Sequence, residues 1–305
     1  MRKQVAIISG LTLLCGVSSQ ANITLPPPSS PPPSYHHPTE SDVEKETIVK
    51  RGETINNVFQ QFIGPQSKSE EAADFFTNPA LHVHYDYSDV RDNIIGNGGH
   101  SHTSSFSLTG SIGDDSIIAL TYTRDRYNLL SATAGNSYLQ DTDVYSLFWG
   151  YNLDENWTIG TYASYSQIDA EAGANTGSVD RLGAGLLLAY NTDLNDSVNL
   201  GLYTSVSSLN KRSIERLFND EDSLSISGVD INIKLSDELS INPYASITAF
   251  LDKENGDPDG HYGNLGADVN WTPNDHWELS VGYSSLIEDN SRDEDTITGR
   301  VSYSF

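Results

Sequence analysis

The chain has 305 residues and a formal net charge of −25, with 16 Tyr, 9 Phe and 4 Trp but only one Cys and one Met. This charge argues against unaided binding to nucleic acid or anionic lipid, because both need lysine and arginine against phosphate. The aromatic content argues against disorder, and no apolar run reaches the roughly 18 residues of a membrane-spanning helix.

Residues 1–21 have the pattern of a secretory signal peptide. A basic start is followed by an apolar run from Val5 to Val17 and by a small-x-small cleavage site at Ser19-Gln20-Ala21. Cys15 lies inside this segment, so the mature chain is expected to lack disulfides, cysteine-ligated metals and thiol catalysis. A lipoprotein interpretation of Cys15 is disfavoured because Leu14 precedes it, where a small residue is expected.

The next segment, 22–39, is predicted to be a proline-rich linker. Residues 25–38 contain seven of the twelve prolines. A stretch of this composition adopts an extended, polyproline-like conformation. A flexible spacer is the favoured interpretation, and a partner-binding motif is the alternative.

Residues 40–79 are predicted to form a small helical segment. A helix is indicated by apolar residues at helical spacing, and a second short helix by 67–76. The run Thr47–Phe59, with Gly52-Glu53-Thr54 in it, resembles the opening of a LysM peptidoglycan-binding module. That family has a short strand, a Gly-acidic-Thr turn and an amphipathic helix in this order, which implies peptidoglycan binding. A pair of helices that docks on, or plugs, the C-terminal part of the chain is the favoured interpretation. The apolar residues of the first helix are Ile55, Val58, Phe59 and Phe62.

From Leu81 onward the hydrophobic pattern has a period of two, as in 157–165. Twelve segments have this pattern, and each is long enough to cross a bilayer at a tilt. The predicted fold is therefore all-β: a twelve-stranded antiparallel transmembrane β-barrel over 80–305, preceded by the short helical extension. The predicted strands are 81–91, 100–112, 116–128, 140–153, 157–169, 178–191, 197–209, 222–236, 239–253, 260–272, 276–288 and 293–305.

The connections between these strands are expected to alternate in length. Tight turns such as 154–156 and 273–275 alternate with longer polar loops such as 170–177 and 210–221. An even strand number with short turns on one side and long loops on the other is typical of bacterial outer-membrane barrels.

Aromatic residues support a membrane orientation. Barrels carry belts of aromatic residues at both membrane–water interfaces. The tryptophans all flank tight turns, so they are predicted to form the periplasmic belt, and Tyr127 and Tyr165 are assigned to the opposite belt. The tryptophans of the predicted periplasmic belt are Trp149, Trp157, Trp271 and Trp277.

The C-terminus carries a family resemblance. Val301, Tyr303 and Phe305 alternate with small polar residues up to the last position. This pattern resembles the C-terminal signal of Gram-negative outer-membrane proteins, which ends in Phe. The resemblance implies recognition by the barrel-assembly machinery and an outer-membrane location. Twelve-stranded members of this class include autotransporter translocators, small-solute channels and an outer-membrane phospholipase.

The face expected to line the lumen is mostly Ser, Gly and Thr. Eight strands are just filled by side chains, so twelve strands with this lining should leave room for water or an inserted segment. Carboxylates outnumber basic residues on this face, which favours cations along an open path. The alternative is that these charges only solvate or cross-link the wall. The lumen-lining candidates are Asp86, Asp125, Arg181, Asp230, Lys234, Asp268, Glu278 and Arg300.

Metal-ligating candidates are weak. His82 and His84 share one strand face, and imidazole suits Zn or Cu, yet ordinary polar lining is favoured. Asp257 and Asp259 lie in an acidic loop whose oxygens suit Ca²⁺, which could bridge to lipopolysaccharide phosphates, although a solvated loop is favoured. No other cofactor is expected. His100-Ser101-His102 superficially resembles the phospholipase chemistry, but the Asn, Ser and Gly residues around that family's motif are missing, so no catalytic residue is assigned.

We therefore expect an exported outer-membrane protein with a periplasmic N-terminal extension. The leading function is a passive channel for small solutes or an exported polymer, with 40–79 as a plug or docking element. The alternatives are an autotransporter-like translocator or anchor, a structural protein attached to peptidoglycan, and a surface lipid hydrolase. The expected partners are outer-membrane lipid, lipopolysaccharide, the barrel-assembly machinery and peptidoglycan, with no nucleic acid.

Overall fold

The computed structural model describes residues 77–92, 97–113, 115–130, 138–172, 175–212, 221–251, 261–287 and 292–305. Twelve strands make up this part of the chain. The signal peptide, the linker, most of the 40–79 segment and the acidic loop with Asp257 and Asp259 lie outside the described residues. The strands are β1 (Thr77–Asp92), β2 (Asn97–Ile112), β3 (Ser116–Leu130), β4 (Tyr138–Asn152), β5 (Trp157–Ala172), β6 (Asn175–Asn195), β7 (Val198–Arg212), β8 (Glu221–Lys234), β9 (Leu239–Phe250), β10 (His261–Asn274), β11 (Trp277–Ile287) and β12 (Arg292–Ser304).

The strands form one closed barrel. Each pairs with its sequence neighbours, and β1 closes the ring by pairing antiparallel with β12, from Ala80↔Ser304 to Asp92↔Arg292. Closure gives each of the twelve described strands a partner on both edges. The predicted all-β, twelve-stranded antiparallel barrel is thereby confirmed, and its first strand begins at Thr77, three residues before the predicted boundary. The predicted helical extension lies outside the described residues. The described residues contain no helix that is long and apolar enough to span a membrane.

Both chain ends of the barrel lie at one rim, which we call the terminal end. There the amide of Phe305 donates to the carbonyl of Pro79 at 3.0 Å. The turns at this rim are short because side-chain oxygens hold them. Asp154 Oδ1 accepts from the amides of Asn156 and Trp157, both at 2.8 Å, and other turns are held in the same way by Asn195, Ser236 and Asn274.

The opposite rim, the far end, carries the longer connections, but one predicted loop is wrong. The segment 170–177 was expected to be a long polar loop. Instead β5 and β6 stay paired as far as Ala172↔Asn175, leaving two residues between the strands. Polar composition does not end a strand here because the backbone ladder can continue where water bathes both faces of the sheet.

Side chains alternate between an inward and an outward face along every strand. On β11 the outward residues Val281 and Tyr283 are exposed, while Ser280, Gly282 and Ser284 are buried. The outward band is rich in Leu, Val, Ile and aromatic residues, as a lipid-facing surface requires.

Toward the far end the polarity of the two faces reverses. The outward positions there are charged, as with Asp169 and Asp295, whereas Val90, Ile168 and Ile226 face inward and are at most 5 % exposed. Apolar inside and polar outside is the pattern of a water-soluble barrel. The far end therefore extends beyond the apolar band of the wall.

This reversal corrects one assignment. Tyr165 is outward and 39 % exposed, as a belt residue should be, but Tyr127 points inward and is 2 % exposed. On β3 the odd-numbered residues from 117 to 127 point inward, so the alternation of this strand alone places Tyr127 in the interior.

Candidate functional site

The lumen is bounded by the inward face of the barrel wall, and all eight predicted lining residues lie on this face. Five are 3–8 % exposed, and Glu278 and Arg300 are partly exposed. Lys234 is the last residue of β8 and is exposed at the terminal end. The five buried residues are Asp86, Asp125, Arg181, Asp230 and Asp268.

One side of the lumen is charged and hydrogen-bonded. Asp86 accepts from His84 Nε2 at 2.6 Å and from the Thr298 hydroxyl at 2.7 Å. Asp268 lies across Gly282 of β11, where a Cβ would collide with its Oδ1. Arg300 is the register partner of His84. We call the inward residues of β10–β12 and β1 the polar sector. Its named members are Asp268, Ser280, Thr298, Arg300, His84 and Asp86.

Several buried atoms of the polar sector have no hydrogen-bond partner in the structure. They are Nδ1 of His84, Oδ1 of Asp268, Oγ of Ser280 and Nε of Arg300. Buried polar atoms are normally satisfied by protein or ordered water. The polar sector therefore has hydrogen-bonding capacity left for water or for a polar group that passes through the lumen.

Side-chain hydrogen bonds also join the strands next to the closing seam. His82 contacts the hydroxyls of Ser302 at 2.8 Å and Thr109 at 3.0 Å, which links β12, β1 and β2. Ser88 contacts Thr296 at 2.8 Å across the same seam. The contacts that cross the seam, including that of Thr298 with Asp86, connect residues more than 200 positions apart, and they stabilise the pairing of the first strand with the last.

The inward face of β3–β7 carries large apolar side chains beside buried polar ones such as Asp125 and Arg181. Large inward rings lie over glycines of the following strand: Phe148 over Gly160, and Tyr162 over Gly185. Such packing needs glycine because a Cβ would overlap the ring. We call the inward apolar residues of β3–β7 the apolar sector. They are Ile117, Ala119, Tyr127, Val144, Phe148, Tyr162, Ile168, Leu187, Ala189 and Tyr203, all at most 7 % exposed.

The apolar sector was missed by the sequence analysis, which described the lining as small. The sequence does contain the signal, because Tyr162 lies between Gly160 and Ser164 on the same face of an alternating strand. Glu294, 2 % exposed on the inward face of β12, was also missed.

The structure places the histidine candidates on both faces of the barrel wall: His82 and His84 point inward, and His100 and His102 point outward. Both ring nitrogens of His82 contact hydroxyls, and His84 contacts Asp86. Among the residues that the structure describes, no three His, Cys, Asp or Glu side chains could hold one metal ion. His100 and His102 lie on the outward face near the far end, while Ser101 points inward and is 1 % exposed, so this run brings no serine hydroxyl to its own imidazoles.

Solved structures share this architecture. The translocator domain of autotransporter NalP from Neisseria meningitidis aligns with 87 % of this chain and 97 % of that domain, at a TM-score of 0.62 and 11 % identity. The transport unit of autotransporter AIDA-I from Escherichia coli aligns with 79 % of this chain and 93 % of that one, with a TM-score of 0.55 and 12 % identity. An outer membrane channel from Pseudomonas putida F1 aligns with 79 % of this chain and 100 % of that one, with a TM-score of 0.55 and 12 % identity. No protein-family profile and no curated sequence matches the chain.

The fold, the apolar outward band and these likenesses agree. The chain has the fold of the outer-membrane β-barrels.

The four tryptophans of the barrel lie at the same rim, and we call them the tryptophan belt. All lie on the outward face near the terminal end and are 40–46 % exposed. Trp277 packs on Tyr303 with ring centroids 4.8 Å apart, and Tyr303 packs on Phe305 at 5.0 Å. Tyr303 and Phe305, two of the three residues of the proposed assembly signal, are thus in contact with the tryptophan belt or with each other. The third residue, Val301, lies on the same outward face and is 38 % exposed.

Proposed function

We propose that this protein is an outer-membrane channel whose lumen is occupied, in the resting state, by the chain's own segment 40–76. The observation that carries the proposal is the burial of the inward face. In a twelve-stranded wall an open, water-filled lumen would leave inward side chains exposed. Instead Ser107, Thr123 and Ser205 are 1–2 % exposed, as in a globular core.

The residues of this segment match the polar and apolar sectors of the barrel wall in chemical character. Residues 55–63 contain no charge, and they combine Ile, Val and Phe with Asn and Gln. A helix over this stretch would be about 14 Å long. Its apolar side matches the apolar sector and its amides match the polar sector. Lys50 and Arg51 precede the stretch and complement the buried carboxylates of the wall.

The proposed orientation places the terminal end in the periplasm, because the tryptophan belt lies at that end and the longer connections lie at the far end. The proposed cargo is a small solute or an exported polymer. Inward carboxylates outnumber basic residues, so the opened channel is expected to prefer cations.

A disulfide experiment tests the occupant directly, since the processed chain is expected to contain no cysteine. Phe59→Cys is combined with Leu187→Cys, an inward residue 2 % exposed, or with Leu188→Cys, its outward neighbour at 39 %. The proposal predicts efficient cross-linking to position 187 and none to position 188. Equal or absent cross-linking at both positions would refute a segment lodged in the lumen.

Planar-bilayer recordings test the channel itself. The protein lacking residues 22–76 should conduct steadily and prefer cations, whereas the full mature chain should be closed or open only briefly. The absence of conductance from both proteins would remove the channel, and equal conductance from both would remove the plug.

The second candidate is a translocator that exports its own N-terminal segment. It is favoured by the likeness to the NalP translocator domain over 97 % of that domain. A translocator requires the segment to reach the cell surface, so protease added to intact cells would remove it. Protection of the segment, together with retention on purified peptidoglycan that a Gly52→Ala/Thr54→Ala variant loses, would instead favour the structural alternative.

A further inference from the structure

The chain contains two His-x-His pairs, His82/His84 on β1 and His100/His102 on β2. Alternate residues of a strand point to the same face, so each pair presents two imidazoles side by side. Paired imidazoles on one strand face can chelate a divalent transition-metal ion. The surroundings of the two pairs decide which of them is available.

The inward pair is engaged by protein groups. Both ring nitrogens of His82 contact hydroxyls, those of Ser302 and Thr109, and His84 Nε2 contacts Asp86 at 2.6 Å. Binding a metal here would break buried hydrogen bonds on both residues. The inward pair, His82 and His84, is therefore not proposed as a metal site.

The outward pair is open. His100 and His102 lie on the outward face near the far end, where the outward face changes from apolar to charged residues. The one hydrogen bond that the structure gives to these imidazoles joins His102 Nδ1 and the Tyr85 hydroxyl at 2.6 Å. That leaves Nε2 of His102 and the ring of His100 available to a ligand.

The spacing of the two rings fits one shared ion. A metal lies about 2.0–2.1 Å from each imidazole nitrogen, so two imidazoles on a tetrahedral ion have ring centres roughly 5 Å apart. The centroids of His100 and His102 are 5.2 Å apart and their planes meet at 79°. A turn of one ring about χ2, a soft torsion in His, would direct a nitrogen of each ring to a common point.

The neighbours support the geometry of the pair. Tyr87 stacks on His100 at 6.3 Å and 20°, and its ring meets His102 edge-on at 5.2 Å, which restricts both imidazoles. The charges around the pair are mixed: Asp89, the register partner of His100, lies 3.6 Å from Arg91, and Arg126, the register partner of His102, is paired with Asp141. The contact with Tyr85 fixes one nitrogen of His102, as outer-shell partners do for metal-ligating histidines.

We propose that His100 and His102 form a surface binding site for a divalent d-block ion of the kind that prefers imidazole, such as Cu²⁺, Ni²⁺ or Zn²⁺. The two imidazoles supply two ligands and water fills the remaining positions. Tyr85 is a positioning residue that orients His102. This site is independent of the proposed channel, because it faces away from the lumen.

The test is a titration of the full mature chain in detergent with CuCl₂, which binds most tightly in the first-row series, followed by electron paramagnetic resonance. Every variant also carries His36→Asn and His37→Asn, which remove the adjacent linker histidines. We expect saturable binding of one Cu²⁺ with superhyperfine splitting from two nitrogens. Single variants His100→Asn and His102→Asn should lose the two-nitrogen signal, and Tyr85→Phe should weaken binding while retaining it.

The matched control is His261→Asn, which changes a single exposed histidine at the far end of β10 and should leave binding unchanged. Heat-modifiable migration confirms that each variant is folded. The proposal is overturned by the absence of bound Cu²⁺ in the parent, by a signal that survives both His100→Asn and His102→Asn, or by loss of binding in His261→Asn. If His100→Asn or His102→Asn fails to fold, His100→Gln and His102→Gln replace them and carry the same expectation.

Discussion

The tight packing of inward rings on glycines makes a sharp prediction at Gly160. A Cβ built there would lie 2.7 Å from Cε2 and Cζ of Phe148 and 3.4 Å from the carbonyl oxygen of Trp149. Carbon atoms in contact normally lie about 3.5–4.0 Å apart, so the ring must move by about 1 Å. The same ring also lies over Gly150, where an added Cβ would be 3.0 Å from it.

Overpacking of this kind costs about 1–3 kcal/mol, which corresponds to a shift of roughly 5- to 150-fold in the unfolding equilibrium. A Gly→Ala change in an open strand position has the opposite sign, with a gain of about 0.5–1 kcal/mol. Gly160→Ala should therefore lower the urea midpoint of the barrel in detergent, measured by tryptophan fluorescence. Gly177→Ala, where a Cβ meets nothing within 4 Å, is the matched control and should raise the midpoint or leave it unchanged.

A second change identifies the cause. In a Phe148→Leu background the side chain is smaller, so Gly160→Ala should become neutral or stabilising, with a coupling free energy of at least about 1 kcal/mol between the two positions. The reasoning is refuted if Gly160→Ala is as well tolerated as Gly177→Ala, or if the cost of Gly160→Ala is unchanged in the Phe148→Leu protein.

Three other changes probe the wall. Thr298→Val removes one hydrogen-bond donor of the buried Asp86 carboxylate and should cost about 1–3 kcal/mol in urea unfolding; an unchanged midpoint would show that this bond is not needed. Asp141→Asn breaks the ion pair with Arg126, whose atoms lie 2.8 Å apart on partly exposed side chains, and should leave the midpoint within error because exposed pairs contribute little. A large loss would contradict that assignment. In the protein lacking 22–76, Asp268→Asn should lower the cation-to-anion permeability ratio, read as a smaller reversal potential under a KCl gradient. An unchanged potential would mean that ions do not pass Asp268.

The strands were predictable from the sequence because their period of two is a local signal. In 157–165 the alternation alone fixes which residues face lipid, and the tight turn before it is fixed by Asp154. The strand ends were less predictable. Pairing of β5 with β6 to Ala172↔Asn175 depends on the neighbouring strand rather than on local composition.

The side-chain contacts of the lumen were not predictable in this way. His82 meets Ser302 across 220 positions, and such a contact needs the closing register, which hydrophobic patterning does not give. The sequence does place His82 and Ser302 on inward faces. It could not show that Tyr162 lies over Gly185, because that packing depends on the tilt of two strands.

Spin-label scanning of β5 tests the central claim, a wall with one lipid face and one interior face, most directly. Single cysteines at 161, 162, 163, 164 and 165 are labelled in bilayers and probed with oxygen, which concentrates in lipid, and with a polar nickel complex, which stays in water. We predict oxygen access with exclusion of the nickel complex at the outward positions Thr161, Ala163 and Tyr165, and low access to oxygen at Tyr162 and Ser164. Strong access of the nickel complex to the three outward positions would contradict a membrane-embedded barrel.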